Sequence, residues 1–301
     1  MAISRAQLVK ELEPGLNALF GLEYKSYANE HAEIFDTESS DRAFEEEVML
    51  SGFANATVKP EGQGVQFDDA QETFTARYTN ETIALAFAIT EEAIEDNLYD
   101  RLASRYTKAL ARSMANTKQV KAAAVLNNGF NANFAGGDGV ALFATNHPTI
   151  AGTFSNELAV ASDLNETSLE QALIDIAAMT DERGLKIASR GMKLIIPSAL
   201  QFTADRLMKS EGRTGTADND INAVKNMGMI PQGYTVNHFL TSNKKWFIKT
   251  DVPNGLKHFV RSPIKTSMEG DFDTGNVRYK ARERYVFGFS DPRGIFGSDA
   301  V

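Results

Sequence analysis

The chain has 301 residues, 43 % of them apolar and 24 % charged, with a net charge of −9 and no cysteine. That balance belongs to a folded chain with a real core rather than to a disordered one. The absence of thiols excludes disulfides, thiolate zinc sites and cysteine nucleophiles, and the acidic balance works against a free-standing nucleic-acid binder.

The N-terminal run MAISRAQLVKELEPG has no long apolar core, so it is not a secretory signal. No stretch approaches the roughly 18 apolar residues of a membrane helix. The expectation is a protein that is cytosolic where it is made, without a membrane partner. Residues 3–13 read as a short amphipathic helix on Ile3, Leu8 and Leu12, halted by Pro14 and Gly15. The polar segment that follows, to about residue 45, cannot bury much of itself and reads as an arm lying on something else. Residues 46–80 read as two extended segments around the turn Lys59-Pro60-Glu61-Gly62-Gln63-Gly64. Val48, Leu50, Phe53, Val58, Val65, Phe67, Phe74 and Tyr78 are spread too thinly for a core of their own. A two-stranded ribbon is marginal alone in water, so it is either an ordinary surface hairpin or a ribbon with a partner surface.

A long helix is expected over 91–127, with Thr90 as N-cap, Glu91 and Glu92 in the first turn, and Gly129 as its stop. Ile94, Leu98, Leu102, Tyr106, Leu110 and Met114 recur every four residues as one apolar stripe. Unbroken, such a rod is about 55 Å long and suits a flat, elongated subunit. After a glycine-containing loop, Thr167-Ser168-Leu169-Glu170 reads as a capping box, Leu169, Leu173 and Ile176 as a helical stripe, and Gly184 as the stop. The run Met192 to Pro197 reads as a buried strand, SALQFTADRLMKS as a helix, EGRTGTADNDIN as a polar loop, and the remainder as β-rich.

The search for chemistry is negative. His31, His147, His238 and His258 show no metal-ligand spacing, and His147 reads as a loop hydrogen-bonding residue. Asp218, Asp220 and Asn222 mimic the start of a calcium loop, but Ala223 and Met229 stand where glycine and a bidentate glutamate are required. The GGDG run at 136–139 is neither a dinucleotide fingerprint nor a P-loop, and there is no G-x-S-x-G elbow. Asp273-Thr274-Gly275 is the tripeptide of aspartic proteases. A single copy would need a symmetric dimer, and charged neighbours make it a better turn than a catalytic site. No cofactor is expected.

The final motif is VRYKARERYVFGF. Strand geometry puts Arg278, Lys280, Arg282 and Arg284 on one face, about 7 Å apart. Val277, Tyr279, Ala281, Tyr285, Phe287 and Phe289 share the other, interrupted by Glu283. The charged face suits phosphate, solvent or acids of another subunit. With 40 acids in the chain, acidic partners are favoured.

Several stretches in order then resemble one family. EGQGVQFDDAQETFTARYTNETIALAFAITEEAIEDNLYD resembles the extended loop and spine-helix entry of tailed-bacteriophage major capsid proteins. GDGVALFATNHPTIAGTFSN is similar to a loop of the Mu-like major head subunits. RGMKLIIPSALQFTADRLM, WFIKTDVPNGLKHFVRSP and TGNVRYKARERYVFGFSDPRGIFGS resemble later segments in the same order. The resemblance spans about residues 45–298. It implies an α+β, Hong Kong 97-type capsid fold with an N-terminal arm (1–45) and an extended β-hairpin loop (46–80). A peripheral domain (81–195) with a spine helix at 91–127 follows, then an axial domain (196–260) and C-terminal strands (261–301) returning to the core.

The implied function is structural and non-enzymatic. Hexamers and pentamers would close into an icosahedral shell, assembled in a bacterial host's cytoplasm and enclosing double-stranded DNA without sequence-specific binding. The implied partners are other copies of the chain, a separate scaffolding protein (the chain starts close to the arm), a portal and decoration proteins. The implied inter-subunit contacts are Lys59 and Glu61 at the ribbon tip, Arg77, and Arg278, Lys280, Arg282 and Arg284. Lys59 is a cross-linking candidate by position alone. An acidic balance suits a shell whose inner surface must not hold its genome tightly. Two other readings stay open: an encapsulin-like compartment shell that binds cargo enzymes, and a soluble enzyme built around Asp273.

Overall fold

The computed structural model describes residues 5–90, 92–93, 99–212, 220–271 and 275–300. Two four-stranded sheets organise the chain. The first has the order β1-β10-β11-β4, from β1 (Asp36–Ser39), β10 (Leu256–Gly270), β11 (Val277–Phe289) and β4 (Glu81–Ile89). The second has the order β12-β9-β7-β8, from β12 (Ile295–Ser298), β9 (Trp246–Thr250), β7 (Gly191–Ile196) and β8 (Tyr234–Val236). A ribbon of β2 (Phe44–Leu50) and β3 (Glu72–Thr79) and a small hairpin of β5 (His147–Thr149) and β6 (Gly152–Phe154) complete the strands.

The first helix, α1 (Arg5–Ser26), runs straight through Pro14 instead of stopping there. Proline removes one backbone hydrogen bond, but Leu16 and Phe20 beyond it are buried against the next helix and Tyr279, and that packing sustains the helix. The segment after it also finds its support within the chain. Ile34 and Phe35 are fully buried, and β1 adds in parallel to β10.

The long helix α2 is described over Tyr99–Asn127. Ala93 N–H lies 3.4 Å from the Thr90 hydroxyl, whereas Glu91, Ile94 and Leu98 lie outside the described residues. The buried face is Ala103, Thr107, Leu110, Ala111, Met114, Ala122 and Leu126, and Tyr106 is 49 % exposed. A strict four-residue stripe drifts around a helix of 3.6 residues per turn, so the buried face has to step by threes and fours, and alanines take positions the stripe missed. Gly129 follows the helix for a packing reason, since a Cβ there would meet the Phe143 ring at 2.5 Å.

In the second sheet, β7 is the buried strand read from its apolar run. Over it packs α3 (Glu166–Ala178), with Leu169 and Ile176 fully buried. Its cap is Asn165 rather than Thr167. The Asn165 side chain accepts from Ser168 N–H at 2.9 Å, and the Ser168 hydroxyl accepts from Asn165 N–H at 3.0 Å. Asparagine caps at least as well as threonine, and starting two residues earlier still turns Ser168 and Leu169 inward. The helix ends at Met179, not at Gly184, which occupies a left-handed turn held by Asp181. Helices α4 (Gln201–Lys209) and α5 (Ala223–Asn226) complete this layer, α4 through Ala204 and Leu207 and α5 through Val224. Asn222 caps α5 and donates to Leu207 and Ser210 carbonyls, which gives the supposed calcium-loop residue a structural job.

A third cluster joins the two sheets. Phe35, Leu126, Phe143, Ile195, Phe247 and Ile295 meet where α2 ends, with Phe143 stacked on Phe130 at 4.6 Å and on Phe247 at 5.1 Å. Large-to-small changes in such cores cost the transfer energy plus a cavity. Ile176→Ala is expected to lower unfolding free energy by about 2–5 kcal/mol in denaturant melts, whereas Ile174→Ala, on the exposed side of the same helix, stays within about 0.5 kcal/mol. Equal losses would contradict this account of the core.

Candidate assembly surfaces

Strand β11 has two faces, as its alternation reads. Val277, Tyr279, Ala281, Glu283 and Tyr285 are buried, and Arg278, Lys280 and Arg282 are exposed. Arg284 is half-buried, with its Nε unpartnered among the described residues. The register sets Arg278, Lys280 and Arg282 beside Ala88, Ala86 and Ala84 of the edge strand β4. On the other side Arg282 lies opposite Lys265 of β10, a cation that single-strand reading missed. Arg278 pairs with Asp271, but Lys265, Lys280 and Arg282 have no ion-pair partner among the described residues. The outer face of this sheet is thus a smooth alanine stripe beside a row of largely uncompensated cations.

On the inner face, Glu283 meets Lys118 of α2 at 2.6 Å, and the Tyr24 hydroxyl donates to the same carboxylate at 3.2 Å. Burial pushes the Glu283 carboxyl above the usual range, with Lys118 opposing the shift. Burial, reinforced by Glu283, also raises the phenols of Tyr24 and Tyr285. Close by, His31 and His258 are both buried, with rings 5.2 Å apart, and His258 stacks on Phe287 at 4.2 Å. His31 is held by Gln119 of α2, and His258 lies 3.2 Å from the Thr37 hydroxyl. Burial lowers both imidazoles. That of His258 falls to about 3, with His31 and Lys118 adding to the shift.

The ribbon is a second surface. Its ladder covers β2 and β3 only, and residues 51–71 carry no regular strand, a shorter pairing than the sequence implied. That stretch is rich in Gly, Asp and Gln, and its side chains are almost all exposed. Pro60 carbonyl accepts from Gln63 N–H at 3.3 Å in the tip turn, where Gly62 takes φ +81°. Lys59 and Glu61 are exposed there, and Val58 and Phe67 are 94 % and 97 % exposed. Arg77 sits at the base, with its guanidinium over the Phe44 ring at 3.9 Å and Glu46 at 3.8 Å, so its contacts are within the ribbon.

The base is firmly tied. Lys257 is buried between Glu38 and Glu47. Burial pulls its ammonium down, but the two carboxylates outweigh this and raise its pKa. Tyr78, Ser290 and Glu47 form a hydrogen-bonded chain. A Cβ on Gly137 would meet Thr75 carbonyl oxygen at 2.6 Å, so the glycine lets its loop lie directly on the ribbon. Higher up, Arg183 donates to Asp69 carbonyl at 2.6 Å.

The remaining sequence motifs are structural. His147 is fully buried, with Nδ1 2.6 Å from Asp138 Oδ2 and Nε2 3.2 Å from Asn156 Oδ1, as expected for a loop residue. His238 meets Glu30 at 2.6 Å. Among the described residues no three His, Asp or Glu converge as a metal ion requires, and no helix is long and apolar enough to cross a membrane. Asp218, Asp273 and Thr274 lie outside the described residues.

Exposed large apolar side chains on the ribbon and a cationic sheet face are features of interaction surfaces. The phage capsid protein family matches residues 72–298, about three quarters of the chain. The chain belongs to that family. It is a structural capsid protein of the virion and not an enzyme.

No curated protein matches it in sequence. The fold is similar to several solved shells. A capsid of an empty GTA particle matches with TM-score 0.55 at 12 % identity, covering 91 % of either chain. A virus-like particle from Pyrococcus furiosus matches with TM-score 0.52 at 11 % identity, covering 94 % of this chain and 98 % of that one. A Mycobacterium phage Adephagia structure matches with TM-score 0.52 at 12 % identity, covering 91 % of either chain. At these identities the likeness is one of fold, and the fold is the mixed α+β, Hong Kong 97-type capsid fold.

The inner cluster has a pH signature. Because the folded pKa of His258 is depressed, its contribution to stability is present above its unfolded value near 6.5 and is lost as pH falls toward about 3. Between those limits the loss amounts to about 1.4 kcal/mol per pH unit for each proton taken up on unfolding. His258→Phe keeps a ring on Phe287 and removes the proton. Its stability is expected to fall less steeply with acid than wild type, by about one proton's slope, in melts at pH 4–7. Parallel slopes would exclude His258 as the source.

Proposed function

We propose that this chain is the major head subunit of a tailed phage, of Mu-like type. It assembles into hexamers and pentamers of an icosahedral shell around double-stranded DNA. The observation that carries this reading is the ribbon. It belongs to a capsid-family chain and carries Val58, Val65 and Phe67 well exposed, with no surface of its own chain covering them. Such a patch marks an interaction site. The ribbon lies across a neighbouring copy, with Lys59 and Glu61 at its far end.

The receiving surface is the outer face of the first sheet. Residues 51–72 carry Glu61, Asp68, Asp69 and Glu72 against Lys59 alone, and the sheet offers Arg278, Lys280, Arg282, Arg284 and Lys265 beside three alanines. Opposite charge and flat apolar surface complement each other there, and such charges set register and choice of partner. In this reading 1–45 is the arm, 46–80 the extended loop, 81–195 the peripheral domain and 196–260 the axial domain. The strands of 261–301 return to the core. The chain's further partners are a scaffolding protein, a portal and decoration proteins.

A compartment shell with protein cargo is the second reading, favoured by the likeness to a virus-like particle over 94 % of this chain. Nuclease-protected DNA in native particles separates the two: its presence supports the phage shell, its absence the compartment. Deleting residues 59–64 is expected to leave a folded subunit by circular dichroism but to abolish or strongly reduce closed shells in negative-stain images. Unaffected shells would sink the role given to the ribbon. Arg282→Glu with Arg284→Glu is expected to impair assembly more than DNA retention, and the opposite ranking would assign the cations to nucleic acid.

A further inference from the structure

A cavity of about 450 Å³ opens where the ribbon joins the body, within the range of small-molecule pockets, about 300–1,000 Å³. Four carboxylates line it from four separate segments: Glu47 on β2, Asp138 in the glycine loop, Glu182 after α3, and Asp291 before β12. One cation, Arg293, lines it with them. Arg293 is committed, bonding Glu182 at 2.8 Å, Asp291 at 3.3 Å and the Thr180 carbonyl at 2.7 Å, with its guanidinium 4.1 Å over the Phe154 ring. Behind the wall, Lys257 serves Glu47 and His147 serves Asp138.

Negative charge is still left over. Glu182 is 4 % exposed and its Oε2 has no hydrogen-bond partner, an omission that ordinarily costs about 1–3 kcal/mol, more for a charged group. Burial raises the Asp291 carboxyl, with Arg293 opposing the shift. A cationic guest would answer both. Because no three acids converge among the described residues, a compact metal ion does not fit. The acids are distributed around walls that also include Val48, Phe74 and Pro148, so the guest has an apolar body and a charged end.

We propose that this cavity binds an extended alkylammonium ion, a free linear diamine or the lysine side chain of another copy, with Glu182 and Asp138 receiving the charge and the β2–β3 wall the methylenes. Bound there, the guest bridges ribbon and body at the point from which the ribbon projects. The site is contained in one chain, so binding of the free diamine does not depend on the assembly reading, whereas the neighbour's lysine as guest rests on it.

The test is isothermal titration calorimetry of the purified full chain with 1,5-diaminopentane at constant ionic strength. Saturable binding of one diamine per chain is expected, weakened at least tenfold by Glu182→Gln and by Phe74→Trp. Phe74 lines the cavity from the face of β3 that also carries buried Ala76 and Tyr78, so the larger ring narrows it without removing a charge, and the variant remains informative if Glu182→Gln misfolds. A parallel titration with N-acetyl-lysine N-methylamide distinguishes the sources. Tighter binding of the lysine analogue assigns the site to a neighbour's side chain, and tighter binding of the diamine to a free ligand. The absence of saturable heat with either compound overturns the proposal, and so does binding that Phe74→Trp leaves unchanged.

Discussion

The contact between the inner face of β11 and helix α2 is the constraint from which the subunit's surfaces follow. Tyr279 and Ala281 pack with Leu110, Ala111 and Met114, and the pleat then has no freedom left. The residues that alternate with them must face outward, and those residues are Arg278, Lys280 and Arg282. A slip of one register position would bury a row of guanidinium and ammonium groups at prohibitive cost. The cationic face is thus held in place by the apolar one behind it. Glu283 breaks the apolar alternation, and it is tolerated because Lys118 and Tyr24 reach it from two other elements.

The same contact gathers the N-terminal segment. Tyr24 and His31 come from α1 and the turn after it. They join Lys118 and Gln119 of α2 to Glu283 and His258 of the sheet. Three distant parts of the chain meet in one partly polar cluster that has to be satisfied together or not at all. This explains why a segment of weak periodicity is nevertheless ordered: Leu16, Phe20, Ile34 and Phe35 find places in cores built by other elements, while Leu22 stays exposed.

The ribbon is treated differently. Its root is held by Lys257, Tyr78 and the close approach of Gly137, whereas its outer part keeps large apolar side chains in water. A monomer gains nothing from that exposure. In the assembly proposed above, the root is rigid while the far end is available to another copy.

Local pattern was enough to read the alternation of β11, the buried run of β7, the stripe of α3 and the tip turn at Gly62, because each depends on a period or a dihedral preference within a few residues. Pro14, the Asn165 cap and the exposure of Tyr106 were not legible. In each case what decided the outcome was packing against a distant element, or a choice between two adjacent residues of similar propensity. Lys265 could join the cationic row, and alanines 84, 86 and 88 could line it, only once β10 and β4 were paired with β11. The amino-acid sequence alone thus determined the apolar side of β11 and of α3 and the buried run of β7. Only the tertiary structure decided which elements those sides meet, because cross-strand register and helix docking join residues far apart in the chain that no local period connects.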